Sequence, residues 1–224
     1  MKPIKYYLES LLPTPPSQSL PFDLKLDHIL KGADRTTYRG LKCSKSPFDY
    51  VLYQMLIYQV KPDLIIEIGT LAGGSALYLA DLLQLLGHGQ VHTIDIKPSS
   101  QPLAQLNSRI KTFNHGWQNY PLPSRLRFPK ILVIDDGSHI YEDVLGTLHQ
   151  FSPLIATGSY FIVEDGIIAK MTVPQKYHGG PLRAINQFLT EDPSFRPDLF
   201  YGHFFGPNVT FNLRGYLRKI ASSP

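Results

Sequence analysis

The sequence has almost no cysteine and no long apolar run, and both absences narrow the class of protein. Cys43 is the only cysteine among 224 residues, which rules out an intrachain disulfide and a cysteine-rich zinc cluster. No stretch approaches the roughly 20 apolar residues that cross a membrane. The first residues also lack the unbroken apolar core of a secretory signal. We therefore expect a cytoplasmic protein without a membrane span.

The sequence also lacks any concentration of charge of one sign. Its formal net charge is +4, but basic residues such as Lys42, Arg125 and Arg214 are scattered along the chain. A nucleic-acid-binding surface normally has clustered basic residues, so we expect no nucleic-acid partner. Hydrophobic residues make up 43% of the chain, which is enough for the core of one substantial domain.

A proline-rich segment marks the beginning of the chain. Four prolines lie between Leu12 and Pro21, a composition that favours extended, poorly packed chain. We predict a partly irregular N-terminal extension over residues 1–37 and a single domain over residues 38–224.

From Pro47 onward the sequence alternates between helical and strand patterns. The predicted helices are "PFDYVLYQMLIYQV", "SALYLADLLQLLG", "PLAQLNSRIKTF", "IYEDVLGTLHQFSPLI" and "PLRAINQFLTE", and the predicted strands are "DLIIEIG", "QVHTIDI", "KILVIDDG" and "GSYFIVEDG". Alternation of this kind predicts an α/β fold with a Rossmann-like doubly wound, mostly parallel sheet. The late segments "DLFYGHFF" and "VTFNLRGYLRK", separated by "GPN", predict a terminal hairpin that adds a C-terminal antiparallel strand at the sheet edge.

The first predicted strand ends in a glycine-rich turn, "EIGTLAGGS", where a doubly wound sheet typically binds a ligand. Gly69, Gly73 and Gly74 permit close backbone approach, and the next helix presents its N-terminal amides there. Leu71 stands where the dinucleotide pattern G-x-G-x-x-G requires its second glycine. A cofactor without phosphates, such as S-adenosylmethionine, would relax that requirement.

Two acidic residues near this turn suit that cofactor. Glu67, at the end of the first strand, would meet the ammonium group of its methionine portion. Asp95, at the tip of the second strand, would accept hydrogen bonds from the ribose hydroxyls. The alternative for Asp95 is a helix-cap or turn residue.

The third and fourth strong strands both end in carboxylates. "VIDDGSH" contains Asp135, Asp136 and His139, and "IVEDG" contains Glu164 and Asp165. If these strands are neighbours, their tips lie roughly 5 Å apart, and carboxylates so crowded raise one another's pKa, which makes the crowding costly without a cation. Three carboxylates with water or substrate oxygens suit Mg²⁺, with Mn²⁺ as an alternative. Because side chains alternate along a strand, only one of the adjacent aspartates faces the site, and we expect Asp136.

His139 follows Asp136 on the loop that leaves the sheet. A metal makes the proton of a bound hydroxyl more acidic, and a neutral imidazole nearby can accept that proton. His139 is therefore a candidate general base, with a surface or helix-capping histidine as the alternative.

Four segments together resemble the cephalosporin hydroxylase family, which also includes rhamnosyl O-methyltransferases. They are "TYRGLKCSKSPFDYVLYQMLIYQVKPDLIIEIGTLAGGSALYLADLL", "VIDDGSH", "GSYFIVEDG" and "GGPLRAINQFLTEDPSF". The resemblance spans Tyr38 to Arg218. It implies the class I fold of S-adenosylmethionine-dependent methyltransferases and an O-methyltransferase activity. It also implies Mg²⁺ held by Asp136, Glu164 and Asp165, with His139 as general base.

The resemblance also implies where the cofactor binds and what accepts the methyl group. The implied cofactor cradle consists of Glu67, Gly69, Thr70, Gly73, Ser75 and Asp95. The sequence departs from the family at "TFNHGWQNYP"; Gly116 and Trp117 would wall the adenine there, with packing as an equal alternative for Trp117. The implied acceptor is a small molecule, a sugar or secondary metabolite that offers a hydroxyl.

The loop "KMTVPQKYHGG" is a candidate mobile lid, with Tyr177 and His178 as substrate contacts. An ordinary surface loop is the alternative. The aromatic-rich C-terminal segments and the N-terminal extension are candidates for the interface of a homo-oligomer.

Two other functions remain alternatives. A nicotinamide-dependent oxidoreductase would explain the first turn and Asp95 but not the carboxylates at the ends of the later strands. A non-catalytic S-adenosylmethionine-binding or scaffold protein would tolerate substitution of those acids.

Overall fold

The structure, a computed structural model, describes residues 25–171, 174–207 and 209–221. The proline-rich part of the predicted extension lies outside the described residues. Its last part forms helix α1 (Leu26–Arg35) and leads into a small hairpin of strands β1 (Thr37–Tyr38) and β2 (Leu41–Lys42). The domain boundary predicted between residues 37 and 38 falls inside β1. The division into an N-terminal extension and a domain stays a prediction.

A seven-stranded sheet forms the centre of the domain. Its strands are β3 (Leu64–Ile68), β4 (Gln90–Ile94), β5 (Ile110–Phe113), β6 (Ile131–Asp135), β7 (Tyr160–Val163), β8 (Phe195–Pro197) and β9 (Tyr216–Lys219). They lie in the order β5-β4-β3-β6-β7-β9-β8. Strands β3 to β7 are parallel, and β9 runs antiparallel to both β7 and β8. The predicted α/β, Rossmann-like sheet with an antiparallel C-terminal strand is confirmed.

Helices cover both faces of this sheet. They are α2 (Pro47–Val60), α3 (Gly74–Leu86), α4 (Leu103–Leu106), α5 (Tyr141–Phe151), α6 (Gly180–Glu191) and α7 (Leu199–Gly202). Neighbouring residues of β3 point to opposite faces, as side-chain alternation requires. Ile65 packs in the core cluster with residues of α2 and α3, and Ile66 packs in the cluster with residues of α5 and α6.

The helix predicted over "PLAQLNSRIKTF" is wrong beyond its first turn. Helix α4 ends at Leu106, and Ile110–Phe113 forms strand β5 beside β4. Asn107 ends the helix with an extended backbone, and its side-chain amide donates to Asp81 at 2.8 Å and Gln84 at 3.0 Å. These tertiary hydrogen bonds override the local helical pattern.

The predicted terminal hairpin is also wrong in its position. The segment "DLFYGHFF" was predicted as a strand but contains helix α7. Asp198 caps this helix by accepting a hydrogen bond from the Phe200 amide at 2.9 Å. Tyr201 is buried and stacks on Tyr216, with ring centroids 5.7 Å apart. Strand β9 pairs with β7 on one side and β8 on the other, so β9 lies inside the sheet and β8 forms its edge.

No helix among the described residues is both long enough and apolar enough to span a membrane.

Candidate active site

The glycine-rich turn lies where the carboxyl ends of β3, β4 and β6 meet. Gly69 has a φ of +96°, and a Cβ there would lie 2.2 Å from the carbonyl oxygen of Asp136. Its amide donates to the Ile94 carbonyl at 2.8 Å. Only glycine fits this conformation and this close approach, so the turn connects three strand ends tightly.

A cavity of about 510 Å³ opens at these strand ends. It is lined by nine of the predicted site residues: Gly69, Thr70, Ser75, Asp95, Gly116, Trp117, Asp136, His139 and Asp165. Three other predicted residues do not line it. Gly73 precedes α3 as its N-cap, and both Glu67 and Glu164 are buried behind the cavity wall.

A broader cavity of about 860 Å³ lies at the opposite ends of the strands, beside Asp63 and Gln90. It contains no predicted site residue. Ligands of doubly wound sheets bind at the carboxyl ends of the strands, so we assign the site to the smaller cavity.

Asp95 holds the glycine-rich turn in place. Its Oδ2 accepts hydrogen bonds from the amides of Thr70 at 2.9 Å and Leu71 at 3.1 Å, and its Oδ1 accepts from the Lys97 amide at 3.1 Å. Partial burial alone would raise the pKa of Asp95, but these backbone donors outweigh it and keep the pKa below its usual value. The turn role is therefore observed, and the charged carboxylate still lines the cavity.

Glu67 is a buried acid with an incomplete set of hydrogen bonds. Its Oε2 accepts from the Thr93 hydroxyl at 2.8 Å, and that hydroxyl lies 2.7 Å from the hydroxyl of Thr70. Glu67 Oε1 has no hydrogen-bond partner within the described part of the chain. Burial raises the pKa of Glu67 to about 7. A buried oxygen without a donor fits a cationic ligand group, such as an ammonium.

Trp117 both packs in the core and lines the cavity. Its ring lies against α5, where a Cβ on Gly146 would be 2.6 Å from the ring. Gln150 donates to its backbone carbonyl at 2.9 Å. The packing role considered for Trp117 is therefore observed, and its ring is fixed beside the cavity; the contact with adenine stays a prediction.

Asp136, His139 and Asp165 converge on one point of the cavity. One ligand atom from each lies within 4.8 Å of the others. His139 Nε2 is 3.4 Å from Asp165 Oδ2 and 3.9 Å from Asp136 Oδ1. Asp135 also lines the cavity, but its carboxylate accepts hydrogen bonds from the Thr147 hydroxyl and, at 3.2 Å, from the Gly137 amide. Of the two adjacent aspartates, Asp136 is therefore the one that belongs to the converging group.

Two members of this group have strained backbones. His139 has a φ of +58° and Asp165 a φ of +55°, in the left-handed region that residues with a side chain rarely adopt. Such strain is often found at functional sites. Burial, together with the nearby Asp136, raises the pKa of Asp165 to about 6.

Glu164 makes contacts that the sequence did not predict. The ammonium group of Lys45 pairs with Glu164 Oε1 and lies 2.9 Å from Asp136 Oδ2, and the Tyr53 hydroxyl donates to Glu164 Oε1 at 2.7 Å. Only 1% of the Lys45 side chain is exposed. Lys45 lies in a loop, where no periodicity marks a buried side chain. The signal that could have pointed to Lys45 was the charge imbalance of the acidic motifs, because neither "VIDDGSH" nor "IVEDG" contains a lysine or an arginine.

The candidate lid reaches the same group. The Tyr177 ring contacts the His139 ring edge-on, with centroids 6.4 Å apart. His178 Nδ1 lies 2.8 Å from a carboxylate oxygen of Glu142 in α5, which places His178 in a hydrogen-bond contact at the surface. Residues 172 and 173 of this loop are outside the described residues.

Comparison with known proteins finds one family over most of the chain. The family described as Rhamnosyl O-methyltransferase/CmcI matches residues 31–114 and 124–220. The chain is 30% identical over 190 residues to the rhamnosyl O-methyltransferase of Mycobacterium leprae, covering 81% of this chain and 82% of that protein. It is also 30% identical over 168 residues to the Mycobacterium tuberculosis protein of the same name, covering 71% and 69%.

Solved structures share the fold. CmcI with Mg and SAM is 23% identical with a TM-score of 0.63, covering 90% of this chain and 87% of that one. The O-methyltransferase TomG from Streptomyces achromogenes, involved in tomaymycin synthesis and solved in complex with SAM, is 17% identical with a TM-score of 0.52, covering 85% of each chain. These similarities assign the sheet described above to the class I methyltransferase fold.

Proposed function

This chain belongs to the Rhamnosyl O-methyltransferase/CmcI family, and from that premise we propose a divalent-metal-assisted methyl transfer to a hydroxyl of a sugar or secondary metabolite. Family membership makes the chain an S-adenosylmethionine-dependent O-methyltransferase, as the sequence predicted. The observation that carries the proposal is one cavity that joins the glycine-rich turn to the group of Asp136, His139 and Asp165.

The residues on the turn side suit S-adenosylmethionine. Asp95 is charged and lines the cavity, as a partner of ribose hydroxyls must, and Trp117 offers a fixed aromatic wall for the adenine. The unpartnered oxygen of Glu67 is suited to the ammonium group of the methionine portion. Each of these three cofactor roles was predicted from the sequence, and the position of the residue supports it.

The residues on the other side suit Mg²⁺ or Mn²⁺. Asp136 and Asp165 supply oxygen ligands close together, and both ions prefer oxygen ligands. Glu164 completes the predicted set of ligands, but it reaches the cavity only if Lys45 gives up its ion pair. A cation bound here would make the hydroxyl of the acceptor more acidic.

His139 is proposed as the general base. Its Nε2 accepts the hydroxyl proton while the new O–CH₃ bond forms, the S–CH₃ bond breaks and sulfur keeps the electron pair. Asp165, 3.4 Å from Nε2, then stabilises the positive imidazolium. The walls of the cavity hold donor and acceptor in line, an effect worth roughly 7–11 kcal/mol in well-oriented reactions.

The names of the curated relatives favour a rhamnosyl group as the first acceptor to test. Tyr177, in edge contact with His139, is positioned to contact such a sugar. A homo-oligomer, a cytoplasmic location and the absence of a nucleic-acid partner stay predictions.

The direct test follows labelled methyl groups from S-adenosylmethionine into rhamnosyl and other hydroxyl acceptors. We expect EDTA to stop transfer and Mg²⁺ or Mn²⁺ to restore it. Asp136→Asn should lower kcat by at least about 10³-fold, since Asp136 holds the metal. His139→Gln should lower kcat by about 10²–10⁴-fold without changing Mn²⁺ affinity, because a base acts on the proton alone.

Asp34→Asn, on the surface beside Lys42, is the matched control and should behave as wild type. Full activity in EDTA would refute the metal-assisted reaction. Loss of Mn²⁺ binding in His139→Gln would make His139 a ligand instead of the base. Calorimetric binding of NAD in preference to S-adenosylhomocysteine would favour the oxidoreductase alternative.

A further inference from the structure

The acidic site already contains a cation that belongs to the chain. Lys45 lines the cavity, whereas Glu164 lies behind it and does not. The ammonium group pairs with both Asp136 and Glu164. It therefore lies between two of the three predicted metal ligands, on the side of Asp136 where Glu164 is buried.

The charges of the site explain why one internal cation is useful. Asp136, Glu164 and Asp165 carry three negative charges when ionised, and Lys45 reduces this to two. Burial alone would lower the pKa of Lys45, but Asp136, Glu164 and Glu67 outweigh it and hold the pKa well above its usual value. Lys45 is therefore charged, and it offsets one of the negative charges that these acids bring together.

The backbone around Lys45 is firmly anchored. Its amide donates to the Cys43 carbonyl at 2.8 Å, and Ser46 caps helix α2 directly after it. A Cβ on Gly74 would lie 2.4 Å from the Lys42 carbonyl oxygen. The missing side chain at Gly74 therefore leaves room for the backbone that leads to Lys45. Lys45 is thus fixed beside the acids by the fold.

Glu164 is held from a second side by a neutral donor. The Tyr53 hydroxyl donates to Oε1, the oxygen that Lys45 also contacts, at 2.7 Å. Removing Tyr53 would delete one hydrogen bond without changing the charge of the site. Removing Lys45 would delete the charge, so the two substitutions separate electrostatics from packing.

We propose that Lys45 is a positioning residue whose ammonium group competes with a divalent cation for Glu164, and so sets the metal affinity of the site. This inference rests on the metal site of the proposed function. While Lys45 pairs with Glu164, the metal would be left with the carboxylates of Asp136 and Asp165. When the pair opens, Glu164 becomes the third carboxylate ligand.

The test measures Mn²⁺ binding to the full-length protein by the loss of the electron paramagnetic resonance signal of free Mn²⁺. Lys45→Met keeps the length of the side chain and removes its charge, and we expect at least about tenfold tighter Mn²⁺ binding. Tyr53→Phe is the matched control and should change the affinity by less than about threefold.

A double-mutant cycle shows whether the gain acts through Glu164. We expect Lys45→Met combined with Glu164→Gln to bind Mn²⁺ no more tightly than Glu164→Gln alone. A gain that persists without Glu164 would overturn the competition. If Lys45→Met unfolds in metal-free buffer, circular dichroism during a Mn²⁺ titration replaces the binding assay: refolding supports the inference and failure to refold overturns it.

The outcomes separate this inference from the proposed function. Equal Mn²⁺ affinity of wild type and Lys45→Met would overturn the inference and leave the metal site intact. Binding by Lys45→Met but not by wild type would support the inference and contradict a metal-assisted wild-type reaction. The absence of Mn²⁺ binding in every variant would overturn both.

Discussion

Two buried acidic regions flank the candidate site, and they meet the cost of a buried charge in different ways. At the end of β3, Glu67 has one oxygen without a donor. At the ends of β6 and β7, Asp136 and Glu164 share the ammonium group of Lys45. A buried carboxylate must find a partner or lose its charge. Lys45 contacts the acids of the second region directly and acts on Glu67 only at longer range, so the free oxygen of Glu67 is left for the cation of a ligand.

Replacing the unpartnered acid should have the largest effect on donor binding. Glu67→Gln removes the negative charge that we assign to the ammonium group of the ligand. Losing a buried charged hydrogen bond costs at least about 2 kcal/mol, so we expect calorimetry to show S-adenosylhomocysteine binding weakened by about 30- to 100-fold. The variant tests whether the region at the end of β3 binds the donor.

Glu191→Gln, which alters an exposed glutamate paired with His149, is the control for this substitution. Unchanged affinity in Glu67→Gln would show that the unpartnered oxygen does not receive the ligand.

The pH dependence of the free energy of unfolding should show how Glu67 behaves without a ligand. The pKa of Glu67 is raised from 4.5 to about 7, so the ligand-free protein binds this proton more strongly when folded. The stability contributed by Glu67 is therefore lost as the pH rises from 4.5 to 7. We expect urea unfolding of ligand-free protein to show Glu67→Gln gaining up to about 3 kcal/mol over wild type across this window.

Binding should change in the opposite direction. Because the ligand requires the charged form of Glu67, wild-type affinity for S-adenosylhomocysteine should fall by about tenfold for each pH unit below 7. The affinity of Glu67→Gln should stay constant over the same range. Parallel pH profiles for the two proteins would contradict the assignment.

The smallest expected effect concerns the adenine wall. Trp117→Ala should weaken S-adenosylhomocysteine binding by about five- to tenfold, since it removes one aromatic face. Trp117→Phe should restore most of the affinity. Because Trp117 is the only tryptophan of the chain, ligand binding should also change wild-type tryptophan fluorescence, and an unchanged spectrum would remove Trp117 from the site.

The sequence predicted the parts of the site that depend on local periodicity. The strands that place Glu67, Asp95 and Asp136 at or next to their carboxyl ends follow from short apolar runs, and side-chain alternation favoured Asp136 over Asp135. The turn glycines followed from their spacing, although the contact that makes Gly69 necessary lies on another strand.

The sequence did not predict features fixed by tertiary contacts. The end of α4 depends on hydrogen bonds from Asn107 to α3. Lys45 meets acids that lie 91 and 119 residues away along the chain. No local sequence pattern indicates such long-range ion pairs, so the position of Lys45 among the acids could be seen only in the structure.

The central claim is that the region of Glu67 binds the methyl donor while the region of Asp136 acts on the acceptor. Single-turnover methyl transfer at saturating S-adenosylmethionine tests it most directly when Glu67→Gln and Asp136→Asn are compared. We expect Glu67→Gln to keep its rate within about threefold, because it loses only uniform binding, and Asp136→Asn to lose at least about 10³-fold. Equal losses in both variants would contradict the division of roles.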